Sequence, residues 1–185
     1  MRAGNNPAVK LLLLHGGPAA THEYFEAFDS FLPMAGVEYY CYDQLGSFYS
    51  NHPDDHSLHE LPRFVEEVEQ VRQALGLDRD NFYLLGHSWG GILATEYALA
   101  YQEHLKGLVI SNMMSSIPRS KDLAKITVPT LVIGAEHDSM DPKHMEWMSK
   151  QFPRGEYLHC PNGSHMDIHD DQETYMKGLL AFLNK

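Results

Sequence analysis

One turn constrains the possible folds of this chain more than any other feature: residues 86–90 read Gly-His-Ser-Trp-Gly. A short apolar run at 82–85 comes before this turn, and a stretch of small and apolar residues, typical of a helix, begins at Ser88. In this context the G-x-S-x-G pattern predicts a sharp strand-to-helix turn with Ser88 as the nucleophile. Such a turn strains the Ser88 backbone by about 1–3 kcal/mol, and its two glycines occur where side chains would collide. The simpler alternative is a glycine-rich turn with Ser88 as a helix cap.

Short apolar runs and amphipathic segments alternate along the rest of the chain. This alternation predicts an α/β fold, with a mostly parallel sheet of about six strands and helices on both faces. Gly76 stands where the first long helix would end. No repeat or linker divides the chain, so we expect a single domain over residues 1–185. Helices are predicted at 61–75, 88–102 and 171–183, and strands at 9–14, 37–42, 82–85, 107–111, 130–133 and 156–160.

The charge of the chain argues against two classes of partner. It has 14 Lys and Arg residues and 25 Asp and Glu residues, which gives a formal net charge of -11 with histidine neutral. Such a surface repels phosphate backbones and anionic membranes, so neither nucleic acid nor a membrane is an expected partner. No apolar run reaches the ~20 residues of a spanning helix, and the amino-terminal residues lack the apolar core of a signal peptide. We therefore expect a cytoplasmic protein.

A second glycine-rich segment follows the first predicted strand, where residues 15–18 read His-Gly-Gly-Pro. A nucleophilic serine needs two N–H groups that converge on the oxyanion of the tetrahedral intermediate. The N–H of Trp89, directly after the nucleophile, is one candidate. Gly17 is the preferred second donor, with Gly16 in reserve, because glycine lets the backbone approach the substrate closely. The alternative is an ordinary Gly-Gly-Pro turn.

The acid and the base are predicted from their positions after strands. Open parallel sheets place their sites at the carboxyl ends of the strands, and in this architecture the chain order is Ser, acid, His. Asp138 follows the fifth predicted strand and is the acid candidate, although Glu136 and Asp141 compete with it. Asp141 comes before a proline and is also typical of a helix N-cap. His165 follows the last predicted strand and is the expected base.

Two groups of side chains could suggest a metal site. Neither spacing matches a tight metal-binding motif, so we expect surface histidines and no metal. The two groups are His52, His56 and His59, and His165 with Asp167 and His169.

The cysteines, an acidic helix segment and the methionines are expected to have structural roles or surface positions rather than catalytic ones. Cys41 and Cys160 lie in predicted strands and are expected to be buried thiols, since two cysteines do not make a disulfide framework. The acidic residues at 66–69 are expected to form a solvated helix face. Several methionines could either line a substrate cleft or fill the core. These are Met113, Met114, Met140, Met145 and Met148.

Taken together, these segments resemble the proline iminopeptidase (prolyl aminopeptidase) family of the α/β-hydrolase superfamily. The Trp after the nucleophile and the Asp-Gln-x-Gly loop at 43–46 make the resemblance narrower than the superfamily. It implies no metal and no cofactor. The matching segments stand in family order at residues 15–18, 42–47, 86–91, 134–138 and 163–165. The resemblance implies that Ser88 is the nucleophile, Asp138 the acid and His165 the base. It also implies that Trp89 and Gly17 donate to the oxyanion.

Two departures from the family pattern concern whole segments. Family members begin with an antiparallel hairpin of strands, and this chain has almost nothing before the strand at 9–14. They also insert a helical cap between the strands at 107–111 and 130–133, whereas only about 15 residues, at 112–127, connect them here. The cap of the family carries the acidic residues that bind the free amine of the substrate. We interpret the shortened chain as a natural deletion or, preferably, as an engineered minimal hydrolase without a cap.

The expected function is hydrolysis of small carboxylic esters through an acyl-enzyme. A site without a cap supplies little binding energy to position an amide, whereas an activated ester has a better leaving group. Residual release of N-terminal proline is the alternative, and a non-catalytic scaffold or binding protein is the alternative from another class. Loss of the hairpin would also leave the strand at 37–42 at a sheet edge. An exposed edge beside an uncovered site favours association as a homodimer.

Overall fold

The strands that form the centre of the molecule are β1 (Arg2–Ala3), β2 (Lys10–Leu14), β3 (Glu38–Cys41), β4 (Phe82–His87), β5 (Gly107–Ser111), β6 (Thr130–Ala135) and β7 (Gly155–Cys160). They come from a computed structural model that describes residues 1–113 and 120–185. The seven strands form one sheet in the order β1-β3-β2-β4-β5-β6-β7. All neighbouring pairs are parallel except β1 and β3. The predicted α/β fold is confirmed, with one more strand than expected.

The additional strand corrects the prediction for the edge of the sheet. Both residues of β1 pair with β3, opposite Tyr39 and Tyr40. The amino group of Met1 adds a bond to the Cys41 carbonyl oxygen over 2.7 Å. The prediction that β3 forms an exposed edge is wrong, because backbone groups on that side of β3 are paired with the first residues of the chain. The homodimer stays a prediction, but an exposed edge at β3 no longer supports it.

The helices are α1 (Leu61–Leu75), α2 (Trp89–Tyr101), α3 (Pro142–Ser149), α4 (Asp167–Asp170) and α5 (Gln172–Leu183), with 3-10 helices at Glu23–Phe28, His56–His59, Gln102–His104 and Ser120–Lys125. They cover both faces of the sheet. Leu12 and Leu14 of β2 join a buried cluster under α1, α2 and α3. Leu11 and Leu13 join a second cluster, under α4, α5 and the first 3-10 helix. Across the described residues, no helix has both the length and the apolar composition needed to span a membrane.

The first helix covers its predicted residues, yet one of its acidic side chains is buried. α1 ends at Gly76, whose φ of 59° forms a left-handed cap. Glu66 is exposed, as predicted for the acidic face, but Glu69 is 5% exposed, so the prediction is wrong for Glu69. It accepts hydrogen bonds from Arg72, Gln73 and Tyr97, which supply the partners that a buried carboxylate requires. The hydrogen bonds from Arg72 outweigh the effect of burial and lower the pKa of Glu69 to about 2.

The prediction that both cysteines are buried is confirmed. Cys41 and Cys160 are buried free thiols. The methionines favour the core over a cleft, because most of those described are buried. Met113, Met145 and Met148 are buried, Met140 is half-buried, and Met114 lies outside the described residues.

Candidate active site

The predicted strand-to-helix turn lies at the carboxyl end of β4. Ser88 has φ 56° and ψ −120°, a conformation that is costly for a residue other than glycine, so the predicted strain is confirmed. A Cβ on Gly86 would come within 2.0 Å of the Gly90 carbonyl oxygen, and one on Gly90 within 2.1 Å of the Leu14 carbonyl oxygen. The two glycines therefore permit the turn. The Ser88 N–H donates to the Ser111 carbonyl oxygen over 2.9 Å, which ties the turn to β5.

An acidic and a basic side chain meet at two neighbouring strand ends. Asp138 follows β6 and His165 follows β7, and His165 Nδ1 lies 3.0 Å and 3.1 Å from the two carboxylate oxygens of Asp138. The Asp138 side chain is 1% exposed and the His165 side chain is 33% exposed. The Met140 N–H also donates to Asp138, over 3.0 Å. The structure thus brings together the predicted acid and the predicted base.

Their contact favours the charged form of both groups. The hydrogen bond to Asp138 raises the pKa of His165 above its ordinary 6.5, against the effect of burial. Burial opposes ionisation of Asp138, but the hydrogen bonds from His165 and Met140 outweigh it and lower its pKa. Because Nδ1 donates to the carboxylate, Nε2 of the neutral imidazole keeps its lone pair. This is the tautomer that a general base for a serine requires.

The two competing carboxylates are engaged elsewhere. Asp141 caps α3 by accepting the Lys143 N–H over 2.9 Å, as its place before a proline predicts. Glu136 lies 3.4 Å from His159 on the surface. Of the three candidates, Asp138 is the carboxylate that contacts His165.

No direct hydrogen bond joins Ser88 to His165 in the described part of the chain. The serine hydroxyl and His165 Nε2 both lack a partner within residues 1–113 and 120–185. His87, next to Ser88, nevertheless lies against the base, with ring centroids 5.0 Å apart. Hydrogen bonds between nucleophile and base are often long or poorly aligned before substrate binds. The role of Ser88 as nucleophile therefore stays a prediction.

The predicted oxyanion loop lies directly against Ser88. A Cβ on Gly16 would stand 3.0 Å from Ser88 Cβ and 3.5 Å from its Oγ. The Gly16 N–H donates to the Tyr24 hydroxyl over 2.6 Å, so the reserve donor is already engaged. Among the described residues, no acceptor pairs with the N–H of Gly17 or with the backbone N–H of Trp89. The role of these two groups as oxyanion donors stays a prediction.

Gln44 connects the loop that begins at His15 to Trp89. Its place in the Asp-Gln-x-Gly segment was the feature of the sequence that could have indicated this role. Its amide Nε2 donates to the His15 carbonyl oxygen over 2.9 Å, and its Oε1 accepts the Trp89 indole N–H over 3.1 Å. Its backbone N–H donates to His15 Nε2 over 3.0 Å. His15 Nδ1 in turn lies 2.8 Å from the Gly16 carbonyl oxygen. Burial lowers the pKa of His15, which suits the neutral ring that these contacts need.

Tyr24 and His87 form a second connection, which no pattern in the sequence predicted. The Tyr24 hydroxyl lies 3.2 Å from His87 Nδ1, and His87 Nε2 lies 2.8 Å from the His165 carbonyl oxygen. His87 is 2% exposed, and burial lowers its pKa to about 4. Its position beside the nucleophile was a signal in the sequence. Tyr24 belongs to a 3-10 helix that carries no comparable pattern.

Asp167 is fully buried two residues beyond His165. Within the described ranges neither of its carboxyl oxygens forms a hydrogen bond of ordinary geometry, although the Asn112 amide and the Cys160 thiol face it. Burial raises its pKa to about 7. His169 and the three histidines at 52–59 are exposed, as predicted. In the part of the chain that the structure describes, no group of three His, Cys, Asp or Glu side chains could hold a metal ion.

A cavity of about 500 Å³ lies away from these residues. Lys106, Pro129 and Arg154 line it, at the amino ends of β5, β6 and β7. Ser88, Asp138 and His165 instead follow the carboxyl ends of their strands. Because open parallel sheets bind ligands at the carboxyl ends of their strands, position favours the region around Ser88 over this cavity as the substrate site.

Known proteins resemble this chain in sequence. The family described as "alpha/beta hydrolase fold" matches residues 10–119. A proline iminopeptidase from Flavobacterium johnsoniae is 40% identical over 273 aligned positions, which cover 99% of this chain and 92% of the relative. Because the chain has 185 residues, at least 88 of those positions have no counterpart in it.

Solved structures share the architecture at lower identity. The proline iminopeptidase of Mycobacterium smegmatis aligns with a TM-score of 0.88 and 22% identity, covering 98% of this chain and 91% of that one. The esterase EaEST of Exiguobacterium antarcticum aligns with a TM-score of 0.86 and 18% identity, covering 100% and 94%. At these identities the likeness concerns the fold, and one fold supports more than one hydrolytic activity.

Proposed function

Because this chain belongs to the proline iminopeptidase family of α/β-hydrolases, we propose that it is a serine hydrolase that cleaves small carboxylic esters through an acyl-enzyme. One observation carries the proposal: His165 Nδ1 is hydrogen-bonded to the buried Asp138. This contact lies at the carboxyl ends of the strands, where the strained Ser88 turn also lies. A non-catalytic scaffold has no need for an oriented imidazole beside a strained serine, and such combinations cluster at active sites.

Acylation begins at Ser88. Its Oγ attacks the carbonyl carbon of the ester while His165 Nε2 takes the hydroxyl proton, and Asp138 stabilises the imidazolium that forms. The N–H groups of Trp89 and Gly17 donate to the oxyanion of the tetrahedral intermediate. When this intermediate collapses, the bond from carbon to the alcohol oxygen breaks, and the imidazolium gives its proton to the alcohol. The acyl group stays on Ser88.

Deacylation repeats these steps with water. His165 takes a proton from the water as the water oxygen attacks the acyl carbon, and the same two N–H groups bind the second oxyanion. Collapse breaks the bond to Ser88 Oγ, which regains a proton from His165. The carboxylic acid leaves, and the cycle requires no metal or cofactor.

The missing positions support esters as the preferred substrates. At least 88 aligned positions of the Flavobacterium johnsoniae relative have no counterpart here, and the family match ends at residue 119, inside the short connection between β5 and β6. A chain without a cap has fewer groups with which to position an amide and its amine leaving group. An ester with a good leaving group needs less of that binding energy.

Proline iminopeptidase activity is the second candidate. The observation that favours it is the 40% identity to a relative of that name across 92% of its length. Under this hypothesis the residues that remain would still select an N-terminal prolyl group. The two candidates share Ser88, Asp138 and His165 and differ in the leaving group that they accept.

A paired substrate panel separates the candidates. We expect the wild type to hydrolyse p-nitrophenyl acetate and butyrate well above proline p-nitroanilide, and Ser88→Ala to lose the ester activity. A higher kcat/KM for the prolyl anilide would replace the ester proposal with the second candidate. A fluorophosphonate probe that labels wild type and Ser88→Ala alike would contradict both, and it would favour the non-catalytic scaffold.

A further inference from the structure

We propose that Tyr24 and His87 are positioning residues that fix the oxyanion loop and the loop of the base relative to each other. The inference rests on the proposed function, since it concerns the same site. Its basis is a continuous series of hydrogen bonds. The Gly16 N–H donates to the Tyr24 hydroxyl over 2.6 Å, that hydroxyl lies 3.2 Å from His87 Nδ1, and His87 Nε2 lies 2.8 Å from the His165 carbonyl oxygen.

The hydrogen-bond partners determine which atom carries the hydrogen in each bond of this series. A backbone carbonyl only accepts, so His87 Nε2 carries a hydrogen and donates to His165. In a neutral imidazole Nδ1 is then an acceptor, and the Tyr24 hydroxyl must donate to it. The same hydroxyl oxygen has a lone pair for the Gly16 N–H. Tyr24 and His87 therefore each accept one hydrogen bond and donate one, and every bond is donated in the direction from Gly16 toward His165.

Burial keeps the series intact. His87 is 2% exposed, and its ring lies between Tyr24, at 5.3 Å between centroids, and His165, at 5.0 Å. Burial lowers the pKa of His87 to about 4, so the ring stays neutral near pH 7. His169 Nε2 lies 3.0 Å from the Tyr24 carbonyl oxygen, which ties the same 3-10 helix a second time to the segment that carries the base.

The connection matters because the two loops come from distant parts of the chain. Gly16 precedes Gly17, the predicted oxyanion donor, and it lies against Ser88. The carbonyl that His87 holds belongs to His165 itself. Displacement of a catalytic group by about 1 Å costs on the order of 100-fold in rate. Loss of the series should therefore lower kcat more than it raises KM.

Tyr24→Phe tests the first link, with Tyr101→Phe as the matched control. The Tyr101 hydroxyl donates to Glu66 on an exposed surface, and Tyr101 is the last residue of α2, at the opposite end of that helix from Ser88. With p-nitrophenyl acetate we expect Tyr24→Phe to lower kcat roughly 10- to 100-fold with KM within about threefold of wild type, and Tyr101→Phe to leave both within about twofold. A Tyr24→Phe protein with wild-type kcat and only a lower Tm would overturn the proposal.

His87 is tested by a pair of variants that differ in their capacity for hydrogen bonds. Gln can accept from Tyr24 and donate to the His165 carbonyl, whereas Leu can do neither. We expect His87→Gln to retain at least about tenfold more kcat than His87→Leu when both are folded by circular dichroism. Equal kcat for the two folded variants would contradict the positioning role. If the wild type itself shows no Ser88-dependent hydrolysis, the proposed function fails. That result differs from failure of the positioning role, in which the wild type is active and the two His87 variants have equal kcat.

Discussion

The indole Nε1 of Trp89 donates to Oε1 of Gln44 over 3.1 Å, while the other end of that amide donates to the His15 carbonyl oxygen. Trp89 supplies one predicted oxyanion N–H, and His15 begins the loop that supplies the other. One buried side chain thus spans both halves of the predicted oxyanion hole. Because an amide has one donor end and one acceptor end, the two contacts also fix which way Gln44 points.

Replacement of this amide should weaken catalysis without removing the catalytic groups. We expect Gln44→Met, which keeps a similar length, to lower kcat for p-nitrophenyl acetate by roughly 10-fold or more, since a single oxyanion donor is worth about 100- to 1,000-fold. Steady-state kinetics provide the measurement. Gln151→Met is the control, because the Gln151 amide bonds to the Trp147 carbonyl on the surface. Equal kcat in the two variants would show that Gln44 does not position the donors.

The acid can be identified by a set of three isosteric variants. Asp138→Asn should lower kcat by about 10,000-fold, because an amide that faces His165 Nδ1 favours the wrong tautomer. Glu136→Gln and Asp141→Asn are the controls, and both should stay within about twofold of wild type. Asn also retains the cap at position 141. A larger loss in either control than in Asp138→Asn would move the acid to that residue. Ester hydrolysis and fluorophosphonate labelling rates both report the effect.

The contact with Asp138 also predicts the pH dependence of the rate. His165 acts as a base only when neutral, and its pKa is raised above 6.5, mainly by the hydrogen bond to Asp138. We therefore expect kcat/KM to rise with pH and to reach its plateau above pH 6.5. In Asp138→Asn the residual activity should titrate at lower pH, because the charge that favours the imidazolium is gone. A profile that does not change between the two proteins would contradict the assignment of His165 as the base.

Much of the geometry around Ser88, Asp138 and His165 was predictable because local sequence patterns specify it. The strained Ser88 turn needs glycine on both sides, and those glycines stand in the sequence as a recognisable motif. Asp138 and His165 were predictable for a different reason. Both follow apolar runs that form parallel strands, and the carboxyl ends of such strands meet at one edge of the sheet.

The features that were not predictable depend on contacts between distant segments. Glu69 has an ordinary position on an amphipathic helix, and only the packing of Tyr97 and Arg72 against it makes its burial favourable. The two residues of β1 are too few to show a strand pattern. Tyr24 acquires its partners from the loops at Gly16 and β4. Periodicity and spacing contain no information about such pairs.

Asp167 gives the last prediction, which concerns stability. Its pKa is about 7 in the folded protein, mainly because of burial, and near 3.8 when unfolded. A raised carboxyl pKa stabilises the fold at pH values below 3.8, and that contribution is lost as the pH rises toward 7, by up to roughly 4 kcal/mol. We expect Asp167→Asn to gain stability relative to wild type between about pH 4 and pH 8, measured by urea unfolding. Asp171→Asn is a control of opposite sign. Hydrogen bonds from Asn162 and Thr174 together outweigh burial and lower the Asp171 pKa, so this variant should be less stable than wild type above about pH 4, by an amount that stays constant up to about pH 8. If the difference between Asp167→Asn and wild type does not change with pH, the Asp167 carboxyl is not protonated in the folded protein.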